Sequence, residues 1–243
     1  MNTPSIYQDI IKAVSEEKKL LAVLIDPDKF KIEAVSRFIK KVNRTLITHV
    51  FVGGSTVDEF ATEILVAKIK AHSTLPIVIF PGDVSQITDN ADALLFLSLI
   101  SGTNPDYLIG KHIEAVSKLK NSSLEVIPTG YVLIESGGQT SVEKVTRSKP
   151  LPRDDKQRIA DTAKAGELLG MQFMYLEAGS GAMHPIPAEI ISFVKQELNI
   201  PLIVGGGMRS RSQIMNAYES GADLIVIGTA FEEDETFFDQ LRK

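Results

Sequence analysis

The chain has 243 residues, 44% hydrophobic and 23% charged, with a formal net charge of −5 and no cysteine. That length suits one barrel of ~250 residues and is enough to bury a sizeable core. The charge balance argues against a nucleic-acid-binding protein, and the missing cysteines exclude disulfides, thiolate metal sites and cysteine nucleophiles.

No apolar run approaches the ~20 residues of a membrane-spanning helix. The segment MNTPSIYQDIIKAVSEEKK has no basic stretch followed by an apolar one, so the expectation is a cytoplasmic protein without a transmembrane segment.

In chain order, short apolar runs alternate with amphipathic stretches. The runs are LLAVLI (20–25), HVFVGG (49–54), PIVIF (76–80), ALLFLSL (93–99), LEVIPTGYVLI (124–134), FMYLEAG (173–179), PLIVGGG (201–207) and DLIVIG (223–228). Each is bounded by Gly, Pro or Asp and is short enough for a strand buried on both faces. IEAVSRFIKKV, VDEFATEILVAKIKA, DYLIGKHIEAVSKLK, DKQRIADTAKAGELL, PAEIISFVKQEL and RSQIMNAYESGA repeat apolar positions at helical spacing. Asp106, Asp154 and Ser210 read as helix N-caps. Eight strand-then-helix units predict a single (β/α)8 TIM barrel over residues 1–243, with an extra N-terminal helix in SIYQDIIKAVSEE that plugs its bottom. The polar stretch ESGGQTSVEKVTRSKPLPRDD has neither strand nor helix pattern and reads as a long loop on the catalytic face.

Active sites of such barrels form at the C-terminal ends of the strands. There the chain places Asp26, Asp28 and Lys29; Gly53, Gly54, Ser55 and Thr56; Asp83; Glu135; then YLEAGSG, GGGMRS and IGTA. The last three make one constellation. Glycines let a phosphate approach backbone amides, and following helix N-termini add partial positive charge. Gly206, Gly207, Gly228 and Thr229 therefore read as a phosphate pocket, against the plainer reading of tight βα turns. Asp26 and Ser55 end adjacent strands and offer the hard oxygens that Mg2+ prefers. The plainer reading makes Asp28 and Ser55 helix caps, and for Asp28 it is preferred. Glu177 shares a strand face with Tyr175, which points both toward the barrel mouth. A carboxylate there can hold or deprotonate a substrate hydroxyl; the alternatives are a salt bridge to Arg209 for Glu177 and a core aromatic for Tyr175. The histidines are isolated.

The ordered motifs DPDK, FVGGST, IFPGDVSQI, SLISGTNPDYLIGKH, PTGYVLIESG, YLEAGSGA, IVGGGMRS and IVIGTAFEED resemble the geranylgeranylglyceryl phosphate synthases, from about Leu20 to Asp234. The resemblance implies a prenyl transfer in which the C3 hydroxyl of sn-glycerol 1-phosphate attacks C1 of a polyprenyl diphosphate, geranylgeranyl being the expected chain. It implies Mg2+ on Asp26 and Ser55. It also implies glycerol 1-phosphate on Tyr175, Leu176, Glu177, Ala178, Gly179, Ser180, Gly181, Gly206, Gly207, Gly228 and Thr229, with Glu177 and Tyr175 at the attacking hydroxyl. The related heptaprenyl branch has a lysine where this chain has Leu24, so Arg209 or Lys29 would supply that positive charge. No DDxxD motif is present, which excludes the all-helical prenyltransferase architecture but not the chemistry. SLISGTNP with Phe96, Tyr107 and Tyr131 would line a trench for the prenyl tail, core packing being the plainer reading. A homo-oligomer, and peripheral membrane contact for product release, are expected. The competing readings are another phosphate-binding barrel, an isomerase or lyase, and a non-catalytic ligand-binding barrel.

Overall fold

The structure, a computed structural model, describes residues 5–55, 57–58, 60–233 and 236–242. Eight parallel strands close into a barrel in sequence order: β1 (Leu20–Ile25), β2 (His49–Val52), β3 (Ile77–Ile79), β4 (Ala93–Leu99), β5 (Glu125–Leu133), β6 (Phe173–Glu177), β7 (Leu202–Gly205) and β8 (Leu224–Ile227). β8 pairs back onto β1, with Leu20 opposite Leu224. The strands are buried on both faces, as their apolar runs predict, except at the lower end of β5, where Val126 is exposed. One cluster fills the barrel, with Phe51, Leu95, Ile127, Phe173 and Ile203 among its members. A second lies between strands and helices and holds Val50, Leu94, Met174, Leu176 and Val204. The alternation along each strand sorts residues between the two.

The helices are α1 (Ile6–Ser15), α2 (Val35–Val42), α3 (Ala61–Lys70), α4 (Lys111–Leu119), α5 (Ser141–Thr146), α6 (Lys156–Leu168), α7 (Ala188–Glu197), α8 (Arg211–Glu219), α9 (Thr229–Glu233) and α10 (Phe237–Gln240). α1 is the expected plug. Ile6 and Ile10 join the cluster inside the barrel, and Tyr7 packs on Phe173 with ring centroids 5.4 Å apart. Its first turn is tied to the lower end of β5, where Ser5 Oγ donates to Glu125 Oε1 at 2.6 Å. Among the described residues no helix is long and apolar enough to cross a membrane.

Two parts of the expected repeat are corrected. Between β3 and β4 stands only a one-turn 3-10 helix, Val84–Gln86, capped by Asp83, whose carboxylate accepts from the Ser85 amide. The connection PGDVSQITDNAD has too few apolar positions, and too many turn formers, to sustain a longer one. The segment after β5 does hold a helix, α5. Thr140 and Glu143 form a reciprocal capping box at its start, a pairing written in the sequence as T-S-V-E. Of the expected caps, Ser210 accepts from the Gln213 amide as foreseen. α6 is capped by Asp155 rather than Asp154, through the Arg158 amide. Asp106 caps nothing and lies inside a five-residue π-helical turn, Asp106–Gly110, that leads into α4.

Candidate active site

One cavity opens at the C-terminal ends of the strands. Its floor is β6. Tyr175 and Glu177 both point inward, as alternation from a shared face requires. Glu177 is 5% exposed, and its Oε1 accepts from the Gly179 amide at 2.6 Å. It makes no ion pair among the described residues, so the salt bridge to Arg209 is not formed; Arg209 Nη1 donates instead to the Ala182 carbonyl at 3.1 Å. Burial pushes the Glu177 carboxyl up to about 7, against the opposing pull of the Gly179 amide and the nearby Tyr175 hydroxyl. That hydroxyl is buried and forms no well-aligned hydrogen bond. Burial, and then the charge of Glu177, also hold the phenols of Tyr131 and Tyr175 well above the ordinary range. Both phenols therefore stay neutral, and Glu177 is the group on this floor able to exchange a proton near neutral pH.

The opposite rim comes from β1 and β2. Asp26 lies over Gly54, where an added Cβ would sit 2.4 Å from Asp26 Oδ1. Lys29 Nζ pairs with Asp26 Oδ2 at 2.9 Å. Ser55 follows Gly54 and also lines the cavity. Neither plainer reading holds. Asp28 accepts from the Asp58 amide at 3.1 Å, tying the two loops together rather than capping a helix. Ser55 lies well before α3, whose N-cap position is Phe60. Thr56 lies outside the described residues.

Gln86 fixes this rim, although no motif singles it out. The side chain is fully buried; Oε1 accepts from the Gly54 amide at 3.2 Å and Nε2 donates to the Gly54 carbonyl at 2.7 Å. Gln86→Leu leaves both backbone groups unpaired, which costs about 2–3 kcal/mol in all. Urea unfolding should show that loss, and an unchanged midpoint would mean that the loop is held by other bonds.

The third wall is built of glycine turns after β6, β7 and β8. Gly206 has φ +82°, and a Cβ there would lie 2.4 Å from Glu177 Oε1 and 2.8 Å from the Gly179 nitrogen. Only glycine allows this close approach. Gly179, Ser180, Gly181, Gly207, Gly228 and Thr229 line the same cavity. Thr229 opens α9, so the start of that helix lies at the cavity wall. Leu176 and Ala178 do not join them. Their side chains lie in the outer core, and only their backbone is near the site. Leu24 stands against Gly228, 3.6 Å from where its Cβ would be. An apolar side chain thus occupies the place of the lysine, while Arg209 and Lys29 both reach the cavity wall.

From the mouth the cavity continues outward past Ile87, Leu94, Phe96, His112 and Ala115, into the space left by the absent helix between β3 and β4. Phe96 stacks edge-on against His112, with centroids 4.3 Å apart. Tyr107 and Tyr131 line the cavity as expected. Of SLISGTNP only Leu99 does; Ser98 Oγ is engaged by the Leu108 carbonyl and Ser101 Oγ by the Leu133 amide. Val142 and Val145 of α5 complete the apolar lining.

The chain matches the PcrB family over residues 12–243. It belongs to that family. It is 54% identical to the geranylgeranylglyceryl phosphate synthase of Zunongwangia profunda, over 96% of this chain and 99% of that one. It is 52% identical to that of Flavobacterium johnsoniae, over 97% of each. Its fold is similar to the crystal structure of (S)-3-O-geranylgeranylglyceryl phosphate synthase from Thermoplasma acidophilum in complex with sn-glycerol-1-phosphate. The TM-score is 0.92 and the identity 31%, over 98% of this chain and 96% of that one. Membership of the PcrB family separates the chain from the isomerase and lyase barrels that share its glycine turns.

Proposed function

We propose that this PcrB-family barrel joins the C3 hydroxyl of sn-glycerol 1-phosphate to geranylgeranyl diphosphate, giving an ether and free diphosphate, with residues 1–243 acting as one catalytic unit. The observation that carries the reading is the carboxyl of Glu177. It is buried, raised to about 7, and placed in one cavity between glycine turns and the Asp26–Ser55 rim. A base poised near neutral pH suits removal of a hydroxyl proton. The amides around Gly206, Gly207, Gly228 and Thr229 receive the phosphate, with Arg209 supplying positive charge. A three-carbon ester anchored there presents its distal hydroxyl toward Glu177. Tyr175, neutral and buried, orients the Glu177 carboxylate. The allylic diphosphate lies with its charged end at Asp26 and Ser55 and its tail in the apolar extension beside Phe96.

Asp26 and Ser55 fit Mg2+, which takes hard oxygens from one or two side chains together with phosphate and water. A bound Mg2+ would neutralise the charge that builds on the leaving diphosphate. Asp26 holds the rim position through Lys29 and the Asp28 amide. Asp26→Asn keeps the amide contact and removes the charge. Turnover should fall by about 10²-fold or more at saturating Mg2+, with the unfolding midpoint little changed; wild-type turnover would remove Asp26 from the charged end of the site.

The reading is tested by diphosphate release with sn-glycerol 1-phosphate and a series of prenyl diphosphates of increasing length. Release with the 20-carbon substrate, dependent on glycerol 1-phosphate and absent with its sn-3 enantiomer, is the expected result. Release that ignores glycerol 1-phosphate would contradict the reading.

A further inference from the structure

We infer that the ring of Phe80 stabilises the allylic cation as the prenyl diphosphate ionises. The inference rests on the transfer proposed above. Phe80 follows β3, and its backbone is locked to the strand that carries the charged rim. Its amide donates to the Val52 carbonyl at 2.9 Å, and its own carbonyl presses on Gly53, so closely that a Cβ there would lie 1.7 Å away. Gly53 leads directly into Gly54 and Ser55. On its other side the Phe80 ring meets Tyr175, with centroids 5.3 Å apart and planes at 43°, and Tyr131, at 5.9 Å and 47°. The two tyrosines close the triangle at 5.4 Å and 65°. Tyr175 shares the inner face of β6 with Glu177. Phe80 therefore spans the interval between the rim that takes the diphosphate and the floor that takes the hydroxyl proton.

That interval is where C1 of the prenyl chain must lie. The C1–O bond to diphosphate breaks with its electron pair on the leaving oxygen. Positive charge spreads over C1 and C3 of the allylic unit. The C3 hydroxyl oxygen of glycerol 1-phosphate then bonds to C1, and its proton passes to the Glu177 carboxylate. The transient cation needs negative potential that cannot itself attack it. An aromatic face supplies that through its quadrupole, most strongly where water is excluded. All three rings line the cavity, but Tyr131 and Tyr175 are buried whereas Phe80 is partly exposed, so Phe80 is the ring most open to the substrate.

The test replaces Phe80 by phenylalanines carrying one, two and three ring fluorines, which weaken the quadrupole in steps at nearly constant shape. We expect kcat to fall with each fluorine, about tenfold by the third, while KM for both substrates stays within about twofold. Phe80→Leu should lower kcat at least as far, and Phe80→Tyr should restore it. A purely steric ring would leave kcat flat across the fluorinated series, and that result overturns the inference. If the unmodified chain transfers no prenyl group, the reaction itself is wrong and the inference falls with it; a working unmodified chain with a flat series removes Phe80 alone.

Discussion

Glu177→Gln should lower kcat by about 10²–10⁴-fold and, above pH 7, make the protein more stable. Both effects have one cause. Burial lifts the carboxyl from its ordinary 4.5 to about 7 in the folded chain. A raised carboxyl binds its proton more tightly in the folded state than in the unfolded one. Its contribution to stability is therefore most favourable below pH 4.5, declines as pH climbs from 4.5 to 7, and is fully lost above 7. At 1.36 kcal/mol per pH unit, the ionised carboxylate costs the native state roughly 3 kcal/mol at pH 8. Glutamine is never charged, and its oxygen can keep the bond from the Gly179 amide. Urea unfolding of the two proteins should diverge with rising pH and converge near pH 5. In the active protein, kcat/KM for glycerol 1-phosphate should rise about tenfold per unit below pH 7 and level off above it. Equal stability of the two proteins at pH 8 would mean that the carboxyl titrates normally, and wild-type turnover by the glutamine variant would make it a structural group.

Gly206→Val should abolish binding of glycerol 1-phosphate and destabilise the fold by about 2–4 kcal/mol. The backbone at φ +82° disfavours any side chain, and a branched one most. The new Cβ would also land 2.4 Å from the Glu177 carboxylate and push it out of position. Gly206→Ala carries the same first atom with less strain and separates misfolding from a blocked site. Calorimetry with glycerol 1-phosphate should show affinity reduced by about 100-fold or more in any folded Gly206 variant. Gly228 provides the contrast. A Cβ there meets Leu24 at 3.6 Å, an ordinary contact, and φ is not positive. Gly228→Ala should fold like the native chain and weaken phosphate binding alone. Normal calorimetry for Gly206→Ala would place the phosphate elsewhere.

Much of this site could be read before the fold was known, because a parallel barrel gathers whatever follows each strand. Asp26, Ser55, Glu177 and the glycine turns are far apart in the chain and meet only through that rule. Phe80 obeys it too, at the end of PIVIF, yet an aromatic beside a strand end looks like core. Alternation also carried a warning. If Tyr175 and Glu177 face inward, Leu176 and Ala178 must face outward, which is where their side chains lie. The short α5 was announced by its capping box but lay in a stretch too polar to show helical periodicity. Gln86 and the raised carboxyl of Glu177 could not be foreseen, since one depends on a loop closing over Gly54 and the other on how deeply a strand end is covered.

In the proposed transfer the oxygen bridging glycerol and prenyl chain comes from the C3 hydroxyl of glycerol 1-phosphate. Labelling that hydroxyl with ¹⁸O and following the reaction by mass spectrometry tests it directly. The ether product should keep the label in full, and the released diphosphate should carry none. Label in the diphosphate, or an unlabelled prenyl alcohol as the sole product, would contradict it.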